Sequence, residues 1–259
     1  MTQARRRRFL LRALLDENRD FRGRRIPTDA ESQWLMLRGL MNIREADPVS
    51  DDFLAVQDEY LKEEIASKGI TDVDDLTPLQ PGLYLWQGDI TTLRCDAIVN
   101  AANSGMTGCY APNHRCIDNA IHTFAGVQLR RACDCMMAAQ GHPEPTGQAK
   151  ITPAFNLPCR YVLHTVGPII QGDVTEKDKE LLASCYRACL TLAADIQLES
   201  VAFCCISTGE FHFPNELAAE IALQTVREFM TQQTSIKKVI FNVFKDTDKD
   251  IYTRLLRAD

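Results

Sequence analysis

The 259-residue sequence predicts an α/β protein with a mainly parallel sheet covered by helices on both faces, behind an N-terminal stretch that is helical only. Two observations predict it. From residue 80 onward, short runs rich in β-branched and aromatic residues alternate with amphipathic segments of helical period, and strands joined through helices pair in parallel and are buried on both sides. Before residue 80 every apolar pattern has the helical period.

The chain opens on charge. Residues 1–25 hold nine Arg against Asp16, Glu17 and Asp20, a local +6, so a net charge of −6 leaves −12 for the rest. Arg5 to Arg8 is followed by only Phe9-Leu10-Leu11 before Arg12, which does not make a secretory signal. The start of a solvated amphipathic helix is the favoured reading. A mitochondrial presequence, against which the acids by position 20 count, and a contact to RNA or an acidic partner are the alternatives. Pro27-Thr28-Asp29-Ala30-Glu31 has a capping-box spacing, Thr28 to Glu31, ahead of Trp34, Leu35, Leu37 and Leu40. Asp51-Asp52 precede Phe53, Leu54, Val56, Tyr60, Leu61 and Ile65 at helical spacing, with Gly69 as the stop. The acidic stretch Thr71 to Thr77, ending at Pro78, reads as a connection. Domain boundaries of 1–79 for the extension and 80–259 for the α/β body follow.

In the body, 83–87, 97–100, 160–166, 201–206 and 239–244 read as strands. Segments 177–196 and 215–229 read as helices, the second entered through Pro214. No apolar run approaches the roughly 20 residues of a membrane span, so no membrane partner is expected. The acidic body argues against a protein built to grip a nucleic-acid backbone. Ten cysteines without a secretory signal, several in apolar runs such as Val-Ala-Phe-Cys-Cys-Ile, read as reduced thiols and point to a cytoplasmic protein.

Four loops follow directly on expected strands: Gly88-Asp89-Ile90-Thr91, Asn100-Ala101-Ala102-Asn103, Ser207-Thr208-Gly209 and Phe244-Lys245-Asp246. Each alone is turn chemistry. Together, at strand ends of one sheet, they describe one polar cleft where such folds bind ligands.

Gly-Asp-Ile-Thr (88–91), Val-Asn-Ala-Ala-Asn (99–103), Asp-Asn-Ala-Ile-His (118–122), Pro-Thr-Gly-Gln-Ala (145–149), His-Thr-Val-Gly-Pro (164–168) and Ile-Ser-Thr-Gly (206–209) resemble the ordered signature of macrodomains over about residues 82–257. The resemblance implies a three-layer α/β/α sandwich with a mixed, mainly parallel sheet and a deep ADP-ribose cleft. It implies that Asp89 accepts the adenine amino group, that Ile90 lines that pocket and that Phe244 packs on the adenine face. Ser207, Thr208, Gly209, Glu210 and Phe211 would wrap the diphosphate, and Asn103 would face the distal ribose. These roles suit the residues: a carboxylate accepts an exocyclic amine, and backbone N–H groups near a helix start attract phosphate.

One departure stands inside this frame. Where catalytic macrodomains mostly carry a glycine-rich run, this chain has Cys109-x4-His114-x-Cys116, two thiolates and an imidazole suited to tetrahedral Zn²⁺ with an open fourth position. Chance clustering in a turn, and a closed structural zinc completed by a distant residue, are the other readings of the spacing. The cluster resembles the zinc-dependent macrodomains, a subgroup with similar helical extensions that is often paired with sirtuin-type ADP-ribosyltransferases and lipoyl-carrier proteins. By that resemblance the expected activity is hydrolysis of ADP-ribose from modified Asp or Glu side chains of a protein substrate. Asp118 is expected to orient or deprotonate the attacking water, or to cap the helix 119–124. Two cysteinates nearly neutralise the metal, which suits it to polarising a ribose hydroxyl or the scissile-side oxygen. An ADP-ribose reader without turnover and an O-acyl-ADP-ribose deacylase are the alternative functions. Of the other histidines, His122 reads as packed and hydrogen-bonded, His164 as core or cleft wall, and His142 as exposed. His212 stands where a glycine is usual and narrows the diphosphate loop.

Overall fold

The computed structural model describes residues 1–257. Three helices come first: α1 (Gln3–Glu17), α2 (Ala30–Ile43) and α3 (Asp51–Ser67). The remainder runs β1 (Thr71–Asp72), β2 (Leu83–Gln87), β3 (Leu93–Arg94), β4 (Ala97–Ala101), α4 (Ile117–Ala125), α5 (Val127–Gln140), β5 (Ala149–Pro153), β6 (Tyr161–Thr165), α6 (Glu176–Asp195), β7 (Ser200–Phe203), α7 (Asn215–Met230), β8 (Lys238–Val243) and α8 (Asp246–Arg257).

The main sheet has the order β2-β8-β7-β4-β6-β5, parallel throughout except for β5, which runs antiparallel to β6 at one edge. This is the three-layer α/β/α sandwich: α6, α7 and α8 pack together on one face, and α4 and α5 cover the other. Strands buried on both faces are apolar almost throughout, as in Ala97-Ile98-Val99 and Val239-Ile240-Phe241 at 0–1% exposure. The five parallel strands all end at the same edge, so residues 88–92, 102–116, 166–175, 204–213 and 244–246 meet there.

The N-terminal helices build a second apolar cluster from Leu10, Leu11, Leu14, Leu37, Phe53, Tyr60 and Leu61, closed by Val127 of α5. The arginine-rich segment is therefore amphipathic but not solvated all round, because Leu10, Leu11, Leu14 and Leu15 are buried against α2 and α3. Leu35 points outward at 46% exposed.

Several boundaries differ from expectation. The first residue to cap α2 is Asp29, whose side chain accepts from Ser32 N, one position beyond the Thr28–Glu31 box, because its carboxylate reaches the free amide directly. The acidic connection is partly ordered: Thr71 and Asp72 pair in parallel with Leu93 and Arg94. The strand expected over 201–206 ends at Phe203, since the chain must turn into Ser207, which sits in the left-handed region at φ 64. Asp118 does not cap α4. Cys116 does, accepting from Asn119 N at 3.4 Å, so Asp118 falls inside the first turn. Among the described residues no helix is long and apolar enough to cross a membrane.

Candidate active site

The metal-donor loop, 102–116, joins β4 to α4 across the sheet edge. Cys109 Sγ and His114 Nδ1 are 3.6 Å apart, and the ligand atoms of Cys109, His114 and Cys116 all lie within 4.8 Å of one another. Zinc bonds of about 2.3 Å to sulfur and 2.0–2.1 Å to nitrogen at tetrahedral angles put S and N about 3.6 Å apart, so the donor set fits Zn²⁺. Burial pushes the Cys116 thiol up to about 12, against the Asn119 amide that favours its charged form. Such a thiol becomes a thiolate only beside a cation.

His114 turns its other nitrogen, Nε2, toward Glu210 Oε1 at 3.6 Å. Nδ1 is the ring nitrogen that faces Cys109 Sγ. The Glu210 side chain thus brings the loop 207–211 alongside the loop 109–116.

Asn103 and Asp118 meet below this loop. Asn103 Nδ2 donates to Gly108 O at 3.1 Å and to Asp118 Oδ2 at 3.4 Å, while its Oδ1 accepts from Gly105 N at 2.9 Å. Both amide hydrogens are engaged, so what Asn103 still offers is a lone pair that can accept from a ribose hydroxyl. Asp118 is 5% exposed and accepts from Asn100 Nδ2 at 2.8 Å. Burial raises its carboxyl to about 6, with the Asn100 bond and the charge of Arg130 pulling the other way.

His122 stacks beneath Gly108 and approaches Asp118 at 3.5 Å. A Cβ on Gly108 would come within 2.7 Å of its ring. Contrary to expectation it is packed without being hydrogen-bonded: both ring nitrogens are buried and unpartnered among the described residues, and burial holds the ring neutral. His164 is core, its Nε2 2.9 Å from Thr152 Oγ1. His142 is exposed, as expected.

The loop 207–211 presents unpaired donors. Phe213 N returns to Ser207 O and His212 N to Gly209 O, but the amides of Gly209, Glu210 and Phe211 make no hydrogen bond to protein among the described residues. The adjoining α7 begins at Pro214 without a side-chain cap. Free amides and an uncapped helix start are the donors that suit an anion. Gly167 allows the loop its close approach, since a Cβ there would lie 2.0 Å from Ser207 Oγ. His212 adopts the left-handed conformation at φ 58 but turns its side chain to solvent, so it does not narrow the loop as expected.

At the far end, Asp89 Oδ1 accepts from Thr91 N at 3.0 Å and Thr91 Oγ1 at 2.6 Å, and Oδ2 accepts from Lys68 Nζ at 2.9 Å. Ile90, expected to line the adenine pocket, is 1% exposed and packs into the main core beside Asp89. Phe244 stands at the end of β8 with 76% of its surface free. The structure thus gathers every expected site residue at one sheet edge. It adds residues that the sequence did not single out: Lys68 on Asp89, Asn100 on Asp118, and Arg38 and Arg130 on the metal loop. Only Asn100, inside the Asn-Ala-Ala-Asn run, had a local signal.

The chain is similar to known proteins. The Macro domain family model matches residues 99–222. A protein-ADP-ribose hydrolase of Treponema medium is 56% identical over 99% of this chain and all of its own length. A protein-ADP-ribose hydrolase of Staphylococcus aureus is 50% identical over 90% of this chain and 88% of its own. A variant of the Oceanobacillus iheyensis macrodomain solved with ADPR superimposes with a TM-score of 0.64 at 38% identity, covering 71% of this chain and 96% of that one.

Proposed function

Because the chain belongs to the macrodomain family, we propose that it is a zinc-dependent hydrolase that removes mono-ADP-ribose from modified Asp or Glu side chains of proteins, with residues 1–79 as its helical extension and 80–259 as the macrodomain. Relatives named protein-ADP-ribose hydrolase support the activity. The observation that carries the zinc reading is a three-donor cluster within 4.8 Å, set directly after Gly108, the residue whose carbonyl binds Asn103.

The residues divide the substrate among them. Phe244 stacks on the adenine, and Asp89 accepts from its amino group. The amides of 208–211 hold the diphosphate, and the lone pair of Asn103 Oδ1 orients the distal ribose. Asp118, ionised at neutral pH, accepts the proton of the water that attacks the anomeric carbon, and the protein carboxylate departs. Cys109, His114 and Cys116 would hold the zinc, which would supply Lewis-acid charge there.

The test is release of ADP-ribose from a carboxylate-linked mono-ADP-ribosylated protein. A lipoyl-carrier protein modified by a sirtuin-type ADP-ribosyltransferase is the first substrate to try, on the resemblance already described. Wild type should release ADP-ribose; chelation and Cys109→Ala should each abolish release while ADP-ribose still binds. Binding without release identifies a reader. Release by metal-free protein removes zinc from the reaction. Faster turnover of O-acyl-ADP-ribose than of the protein reassigns the substrate.

A further inference from the structure

The metal loop has little regular structure of its own. It holds two non-glycine residues in the left-handed region, Met106 at φ 62 and Asn113 at φ 57, the second immediately before His114. Three donors in such a loop need outside support to stay within bonding reach of one ion.

That support comes from α2 of the N-terminal extension. Arg38 donates through Nη2 to His114 O at 3.0 Å and to Asn119 Oδ1 at 2.8 Å, and through Nε to the same oxygen at 3.2 Å. Asn119 in turn donates to Ala111 O at 3.1 Å. One turn along, Asn42, 2% exposed, accepts the backbone amide of Asn113 at 2.9 Å and donates to Thr123 Oγ1 at 3.0 Å. Between them Gly39 lets the loop lie against the helix, for a Cβ there would meet Asn113 Nδ2 at 3.3 Å and Pro112 Cβ at 3.7 Å. Residues 38, 39 and 42 share one face of α2.

The other end of the loop is held from the same place. Arg130, 4% exposed on α5, donates to Thr107 O at 2.7 Å and to Cys109 O at 3.4 Å. Its remaining nitrogen bonds the carbonyls of Met41, Asn42 and Arg44 at the C-terminal end of α2. The guanidinium also lies 4.1 Å from the Tyr110 ring centre. The backbones of two metal donors, Cys109 and His114, are therefore each tied by an arginine to the same helix.

We infer that α2 is the positioning element of the metal site: Arg38 and Asn42, with Arg130 beneath, hold the 107–114 backbone so that the extension sets the protein's zinc affinity. The inference rests on the zinc reading above. Arg38 is half-buried at the rim and belongs to neither apolar cluster, so its truncation leaves both cores intact.

The experiment measures zinc affinity by competition with a chromophoric chelator, using full-length wild type, Arg38→Ala, Arg38→Lys and Asn42→Ala, with thermal melts of the metal-free proteins as the folding check. Removing outer support of a metal ligand weakens affinity by about 10–100-fold. That loss is expected for Arg38→Ala and Asn42→Ala, with a smaller one for Arg38→Lys, which keeps the charge but not the fork that reaches two acceptors. ADP-ribose affinity of Asn42→Ala at saturating zinc should change far less than its zinc affinity, as Asn42 is buried and acts on the loop through the Asn113 amide. Wild type binding zinc with both alanine variants matching it within about twofold overturns the inference and leaves the zinc reading standing. Wild type failing to bind zinc overturns both.

Discussion

Phe244 offers the cleanest separation of binding from folding. It is 76% exposed at the end of β8 and contributes no side chain to either apolar cluster, so Phe244→Ala should leave stability within about 0.5 kcal/mol of wild type. Stacking on adenine covers one ring face, roughly 80 Å², and at about 25 cal/mol per Å² that is about 2 kcal/mol. Base–aromatic stacking falls in the same range, about 1–3 kcal/mol per base. A 2 kcal/mol loss corresponds to about a 30-fold rise in Kd. Isothermal titration with ADP-ribose reads it, with Phe244→Tyr as the control that keeps the ring and should stay within a few-fold. An alanine variant binding ADP-ribose within twofold of wild type would show that the exposed ring has no part in ligand binding and that the adenine end of the cleft lies elsewhere.

Asp118→Asn keeps the shape of the buried side chain and an acceptor for Asn100, but removes the base; turnover should fall about 10²–10⁴-fold with ADP-ribose Kd little changed, and near-normal turnover would remove Asp118 from the chemistry. Gly167→Ala drives a methyl to 2.0 Å from Ser207 Oγ; overpacking costs about 1–3 kcal/mol, so Tm should fall by several degrees and ADP-ribose should bind more weakly as the diphosphate loop is pushed out, whereas unchanged affinity would separate that loop from the ligand. Burial holds His164 down at about 4. The unfolded chain takes up this proton near 6.5, so the stability it confers is complete above that pH and is lost as pH falls from 6.5 to 4, by ~3 kcal/mol in all. Compared with His164→Gln in urea melts, wild type should lose that much more stability across the window, and parallel curves would show that His164 does not carry the acid sensitivity.

The fold was legible where burial writes itself into composition. Strands flanked by helices on both faces must be apolar throughout, so 83–87, 97–100 and 239–244 stand out in the sequence and agree with β2, β4 and β8 to within a residue at each end. The strand β5, Ala-Lys-Ile-Thr-Pro, carries no such run because all its residues but Thr152 stay partly or fully exposed. Helix α5 was missed for a related reason: Arg130, Arg131 and Asp134 break its apolar face, and the buried arginine makes sense only once α2 is in place. The site was legible as motifs, since strand-end loops keep their chemistry local. Their supports were not: Arg38 to His114 and Arg130 to Asn42 join residues 76 and 88 positions apart. A sulfur cap at Cys116 was equally hidden, because cysteine is an unusual N-cap and Asp118 lay two residues on.

The way the extension meets the sandwich explains why its contacts fall where they do. Its apolar cluster takes Val127 from the body, while Trp34 against Phe124 and Ile65 in the main core join the two, and apolar burial fixes proximity without fixing direction. Direction comes from hydrogen bonds, and these reach points that control the cleft. Gln57 of α3 accepts from Val127 N at 3.0 Å, capping α5, whose own N-cap is a glycine without a side chain. That sets the start of the helix carrying Arg130. Arg130 and Arg38 then fix the backbones of Cys109 and His114, while Lys68 holds Asp89 at the opposite end of the cleft. Each bond alone is worth about 1 kcal/mol, too little to define a fold but enough, repeated over one loop, to choose among its conformations. On the reading proposed above, the helices act on function through geometry, by fixing the backbone that carries Cys109 and His114.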